Sequence, residues 1–188
     1  MTQRKPHVLI AGAGPVGLVS ALVLAEAGVS VTLIESSPSL NKDLRASTFH
    51  PPTLDMLAEL GLTDALVAQG LVARYTQQRD RHEGVIAEFD LSLLAGLTQH
   101  PFRLQCEQWK LTELIHQRLS RLDHVCFHFS AKVQTVVQSD ERVEMHVEQN
   151  GETIKLRGDY LIGADGAWSQ VRTELGVAFE GFTYPERF

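Results

Sequence analysis

The chain has 188 residues, 44% hydrophobic and 21% charged, with a net charge of −6. That is enough apolar material for a packed core, and it excludes a disordered chain. The acidic balance, with no basic run longer than Arg4-Lys5, leaves no electrostatic footprint for nucleic acid or an anionic membrane surface.

The first predicted element is a strand over His7 to Ala11, a short apolar run of the kind buried in parallel sheets. A helix follows over Pro15 to Ala27, with Leu18, Ala21, Leu22 and Ala25 at helical spacing and Pro15 in the first turn, where a missing N–H does no harm. Gly28 ends it. Val31 to Glu35 reads as a second strand and Ser36 to Arg45 as a polar loop. Pro51 and Pro52 open a helix running to about Leu60, and Thr63 to Gln69 is a further short helix. Ala73 to Asp80 and Val85 to Leu91 read as two strands around a turn at Glu83-Gly84.

Gln108 to Leu122 carries a strong helical apolar pattern. Strand-like runs follow at Val125–Phe129, Lys132–Val137, Val143–Val147 and Thr153–Arg157, with Asn150-Gly151 as a two-residue hairpin signal. Tyr160 to Gly163 is another short strand, and Trp168 to Leu175 reads as a helix ended by Gly176.

Arg4 and Lys5 precede an uncharged stretch from Val8 to Ala25, and Ala25-Glu26-Ala27 resembles a small-residue cleavage site. We read this stretch neither as a signal peptide nor as a membrane span. It contains Gly12, Gly14 and Gly17 at a specific spacing, Pro15 interrupts it, and a second strand ending in an acid follows. Cys106 and Cys126 lie far apart without a CxxC spacing. They read as two ordinary half-buried thiols in a reducing, cytoplasmic compartment, and no metal site is expected.

The string Gly12-Ala13-Gly14-Pro15-Val16-Gly17 matches GxGxxG, and its position between a strand and a helix turns a weak pattern into a specific one. Gly12 permits the tight turn, Gly14 lets backbone approach a pyrophosphate, and Gly17 lets the helix pack on the sheet. The helix N-terminus offers N–H groups to phosphate oxygens. Glu35, followed by Ser36, stands 18 residues after Gly17 and can accept hydrogen bonds from ribose hydroxyls while repelling a 2′-phosphate. This turn suits FAD or NAD and disfavours NADP.

Four segments together resemble the class A flavin-dependent aromatic monooxygenases. They are Val8 to Glu35; Leu44-Arg45-Ala46-Ser47 with Pro52 to Leu57; Gln105 to Leu114; and Asp159 to Arg172, which contains Asp165-Gly166. The resemblance implies FAD as cofactor, NAD(P)H as co-substrate, and hydroxylation of a small aromatic substrate with O₂. It implies that Arg45 reaches the flavin pyrophosphate and ribityl region, a contact suited to a guanidinium. It also implies that Gln108, in preference to Gln105, bonds the ribityl chain. It implies further that Val133 lies on a strand whose backbone meets the adenine, its side chain serving only as apolar packing. By the same resemblance Asp165 holds the FAD side of the site, with Gly166 allowing the turn, and Arg172 either fixes this segment or meets phosphate. Catalytic residues are not assigned.

The implied fold is α/β: a Rossmann-like FAD-binding fold in three layers, a parallel sheet plus a β-meander, with the start of a substrate-side sheet. The expected division is residues 1–73 and 101–178 as the FAD-binding domain, 74–100 as substrate-side strands, and 179–188 as the connection to a C-terminal part. A later GD segment of the family pattern does not occur, so the chain is expected to be the N-terminal portion of a larger enzyme, with self-association through the uncovered surface. Three other readings stay open: a non-catalytic FAD-binding domain, a flavoprotein reductase or oxidase on the same fold, and an NAD-dependent dehydrogenase, against which the Asp165-Gly166 segment and the Arg45 loop argue.

Overall fold

The computed structural model describes residues 5–44 and 46–185. In chain order its elements are β1 (His7–Ala11), α1 (Pro15–Glu26), β2 (Ser30–Ile34), β3 (Thr48–Phe49), α2 (Pro51–Glu59), α3 (Thr63–Val67), β4 (Leu71–Ala73), β5 (Tyr75–Asp80), β6 (Gly84–Asp90), β7 (Arg103–Gln105), α4 (Gln108–Leu119), β8 (Val125–His128), β9 (Ala131–Gln138), β10 (Val143–Gln149), β11 (Glu152–Gly158), β12 (Tyr160–Gly163) and α5 (Gln170–Glu174). Contacts divide the chain into two compact units, one of residues 1–39 with 119–188 and one of residues 40–118.

The first unit is built on a parallel sheet of order β12-β1-β2-β8. Its inner strands β1 and β2 are almost continuously apolar because both of their faces are covered. On one face, Leu9, Ala11 and Ile34 share a core with Val133, Val143, Met145, Val147 and Val171. Four of these partners belong to β9 and β10 of an antiparallel meander of order β11-β10-β9. Alternate residues of the same strands, Val8, Ile10, Val31 and Leu33, are buried on the opposite face. Helix α1 packs on β1 and β2 and buries Gly17, Leu18, Ala21, Leu22 and Ala25. Gly28, at φ +73°, turns the chain out of the helix. Asn150 and Gly151 both take positive φ, as a two-residue hairpin turn between β10 and β11 requires.

Helix α5 is shorter than its apolar pattern suggests. Ser169 takes the N-cap position and its Oγ accepts from the Arg172 N–H, so the helix starts at Gln170 and leaves Trp168 outside, 96% exposed.

The second unit carries an antiparallel sheet of order β3-β7-β4, the separate hairpin β5–β6, and helices α2, α3 and α4 up to Arg118. The run Ala73 to Asp80 is not one strand. It breaks at Arg74, whose guanidinium forks onto Asp90 (Nε–Oδ1 2.8 Å, Nη2–Oδ2 2.6 Å) and whose carbonyl accepts from the Leu91 N–H. The chain before the break pairs with β7 and the chain after it with β6. The hairpin turn is closed by Asp80, whose Oδ1 accepts from the His82 and Glu83 N–H groups.

The cysteines are not the two half-buried thiols expected: Cys106 is buried and Cys126 exposed. Among the described residues no three His, Cys, Asp or Glu side chains gather to hold a metal, and no helix is long and apolar enough to cross a membrane.

Candidate functional site

The turn from β1 to α1 is packed against backbone at two of its three glycines. Gly12 has φ +100°, a conformation that disfavours any side chain, and its N–H donates to the Ile34 carbonyl at 2.7 Å. A Cβ on Gly12 would collide with the Ala164 carbonyl, and one on Gly17 would collide with the Gly12 carbonyl. Both glycines are therefore demanded by packing: the first brings the turn onto the end of β12, the second brings α1 onto the turn.

Gly14 is different. Its backbone is extended (φ −71°, ψ −179°), which any residue could adopt, and a Cβ there would meet nothing within 4 Å. Neither strain nor a protein neighbour explains the missing side chain. The space in front of Gly14 is open at the head of a twelve-residue helix that has Pro15 in its first turn and no side-chain cap. The Val16 and Gly17 N–H groups belong to that first turn, where an α-helix offers no carbonyl partner of its own. This is a cradle for an anionic group.

Glu35, directly after β2, is drawn to this cradle. Its Oε2 accepts from the Ala13 N–H at 3.0 Å and its Oε1 from the Ser37 N–H at 2.8 Å; the Ser36 hydroxyl lies 3.3 Å from Oε1. Two backbone donors and the Ser36 hydroxyl hold the carboxylate, and Oε2 keeps a lone pair for a further donor. First-turn amides and a carboxylate with an open lone pair thus stand side by side in one unit, a set of donors and an acceptor that fits the ADP half of a dinucleotide.

The Asp165-Gly166 segment completes the other wall of the turn. The Ala164 N–H donates to the Ala11 carbonyl at 2.8 Å, so β12 and β1 end together. Gly166 has φ +81°. The Asp165 carboxylate binds within its own segment: Oδ1 accepts from the Ser169 hydroxyl at 2.5 Å and Oδ2 from the Val171 N–H at 3.0 Å. Arg172 fixes the segment through the Ala167 carbonyl at 2.9 Å and lies over the Phe179 ring at 4.4 Å. Val133 buries its side chain in the core, and β9, which carries it, is an edge strand of the meander.

In the second unit, Gln105 and Gln108 separate clearly. The Gln105 amide oxygen accepts from the Thr48 hydroxyl at 2.9 Å inside the small sheet. Gln108 opens α4, and its N–H donates to the Ala46 carbonyl at 2.9 Å. Arg45 lies outside the described residues; its neighbour Ala46 is tied to the head of α4.

Three participants escaped the sequence reading. Ala164 supplies the carbonyl against which Gly12 is packed, the Ala13 amide anchors Glu35, and Ser169 links Asp165 to α5. Only Ser169 had a local signal, a serine four residues after an aspartate at a helix start.

This βαβ turn with its acid and its Asp-Gly wall defines a dinucleotide-binding fold. The chain matches the FAD binding domain family over residues 5–188 and belongs to that family. It is 34% identical over 180 residues to a para-nitrophenol 4-monooxygenase of Pseudomonas sp. (strain WBC-3), covering 96% of this chain and 45% of the relative. It is 36% identical over 185 residues to the 6-hydroxy-3-succinoylpyridine 3-monooxygenase HspB of Pseudomonas putida, covering 98% and 47%. The crystal structure of a p-nitrophenol 4-monooxygenase from Pseudomonas putida DLL-E4 superposes with a TM-score of 0.92 at 32% identity, covering 98% of this chain and 46% of that one. The chain spans about half the length of the curated relatives it matches.

Proposed function

We propose that this chain is the FAD-binding portion of a flavin monooxygenase that uses NAD(P)H and O₂ to hydroxylate a small aromatic substrate. The observation that carries the reading is the open space before Gly14, bounded by the α1 N-terminus and by Glu35. Gly12, Gly14, Pro15, Val16 and Gly17 shape the pyrophosphate cradle, with N–H donors from Val16 and Gly17. Glu35 accepts from the adenosine ribose, with Ser36 beside it, and β9 offers backbone groups near Val133 to the adenine. Asp165 and Gly166 hold the wall of the turn, and Gln108 and Arg45 grip the ribityl and pyrophosphate region. Bound FAD would supply the redox chemistry; the protein binds it, orients it and excludes water.

In the same reading, residues 1–73 and 101–178 serve the flavin, strands within 74–100 form one edge of the substrate pocket, and 179–188 lead towards a C-terminal part. The relatives' names support an aromatic substrate, and the free thiols suit a cytoplasmic enzyme. The exposed side chains of Val85, Ile86 and Phe89 on the β5–β6 hairpin favour self-association. The test is visible absorbance of the purified protein with added FAD, followed by NADH and NADPH consumption with added phenols in the longer protein that this reading implies. Bound flavin and phenol-stimulated consumption are expected. Failure to bind flavin overturns the reading, and flavin binding without stimulation reassigns the protein to a reductase or oxidase.

A further inference from the structure

Away from the dinucleotide turn, three side chains of the first unit form a directed relay. Cys126 and His128 are alternate residues of β8, the edge strand of the parallel sheet, so they project from one face. Cys126 Sγ lies 3.7 Å from His128 Nε2. His128 Nδ1 lies 3.3 Å from Gln149 Oε1, at the end of β10, and Gln149 Nε2 donates to the Phe129 carbonyl at 2.8 Å.

The direction of every bond in this relay follows from the last one. A carbonyl only accepts, so the amide nitrogen of Gln149 must face Phe129 and the amide oxygen must face His128. That oxygen also only accepts, so Nδ1 of the neutral imidazole carries the proton. Nε2 is then the unprotonated nitrogen, and it faces the Cys126 thiol. A nucleophile, a base within reach and a third group orienting the base is the arrangement that activates thiols.

The nucleophile is accessible, because Cys126 is exposed. The other cysteine of the sequence, Cys106, is buried and its thiol is pushed up by burial, so it is no surface partner for an internal disulfide. A mixed disulfide formed at Cys126 would therefore persist.

The geometry points to Cys126 as a modification site that accepts a thiol group from a low-molecular-weight disulfide, with His128 as its base and Gln149 as the residue that positions that base. In this step Sγ attacks one sulfur of the disulfide as Nε2 takes the thiol proton. A new S–S bond forms and the old one breaks. The leaving half departs as a thiol with the proton from His128; Cys126 is oxidised and the leaving half reduced.

The test exposes the intact protein to oxidised glutathione at neutral pH and follows the mass of the peptides carrying Cys126 and Cys106 over time. Cys126 should gain one glutathionyl group while Cys106 stays unmodified. His128→Ala should slow the Cys126 reaction by about ten-fold, since an unassisted thiol is only a few per cent thiolate at neutral pH. Gln149→Leu should slow it comparably, whereas Gln149→Glu, which still accepts from Nδ1, should restore it. Thermal unfolding of each variant separates these effects from loss of fold. A Cys126 rate no higher than in the urea-unfolded chain, or unchanged in folded His128→Ala, overturns the proposal. Equal rates in the two Gln149 variants overturn the positioning role.

Discussion

The Ala13 amide donates to the Glu35 carboxylate at 3.0 Å, and with the Gly12 N–H on the Ile34 carbonyl this bond ties the glycine turn to the end of the neighbouring strand. Glu35 holds the turn and, in the proposed function, also presents the open lone pair of Oε2 to a ribose. The two are separable. Glu35→Gln keeps an acceptor for one backbone amide but loses the charge, and Glu35→Ala loses both. Fluorescence titration with FAD should show weaker binding for both variants, with Glu35→Ala losing about 1.5–3 kcal/mol, as for hydrogen bonds to a charged group. Unchanged affinity in Glu35→Ala would remove this residue from the site.

Gly14 and Gly17 make a paired comparison. Gly17→Ala forces a methyl group into the Gly12 carbonyl, and overpacking of this kind costs about 1–3 kcal/mol of stability. Gly14→Ala meets no protein atom and should cost at most about 1 kcal/mol, through its N-cap position. FAD affinity should nonetheless fall in Gly14→Ala, because the methyl group enters the open space that the proposed function gives to the pyrophosphate. Melting curves and flavin titrations on the two variants check both halves.

Asp165 is bonded to its own segment, so its replacement should be felt first in α5. In Asp165→Ala the Ser169 hydroxyl and the Val171 N–H lose their acceptor, a cost of about 1–2 kcal/mol. Hydrogen exchange at the Val171 amide should speed up. Protection retained at that amide would mean that another group holds the segment.

Glu144 links acid stability to the meander. Arg157, and after it His146, bond to its carboxylate and hold its pKa down to about 2, from an ordinary 4.5. A depressed folded-state value contributes stability that is present above the ordinary value and lost as pH falls through the folded one. Stability should therefore drop between about pH 4.5 and 2 in the natural protein and less steeply in Glu144→Gln. Urea midpoints across that interval measure the difference.

The parts legible in the sequence were those with local physical signals. The βαβ unit was readable because continuous apolar strands, three spaced glycines and a terminal acid each have one structural use. The Asn150-Gly151 hairpin was readable because its turn needs two positive φ values. What stayed hidden depended on distant partners. β3 and β7, of two and three residues, have no periodicity to read and exist only through pairing, β3 with β7 and β7 with both β3 and β4. The break at Arg74 is set by Asp90, sixteen residues on. The Gln105 amide is taken up by Thr48, a partner 57 residues away that no local pattern announces. The contact of Gly12 with Ala164 spans most of the chain and leaves no trace in either local pattern.

That contact also sets an order of assembly. Strand β1 lies between β2 and β12, with Val8 opposite both Val31 and Tyr160. During translation β2 emerges soon after β1, whereas β12 leaves the ribosome well over a hundred residues later. Until then one edge of β1 and one wall of the glycine turn are bare, and closing so long a loop is slow. The nascent chain thus carries its nucleotide-binding signature from the start and can use it only once β12 has emerged.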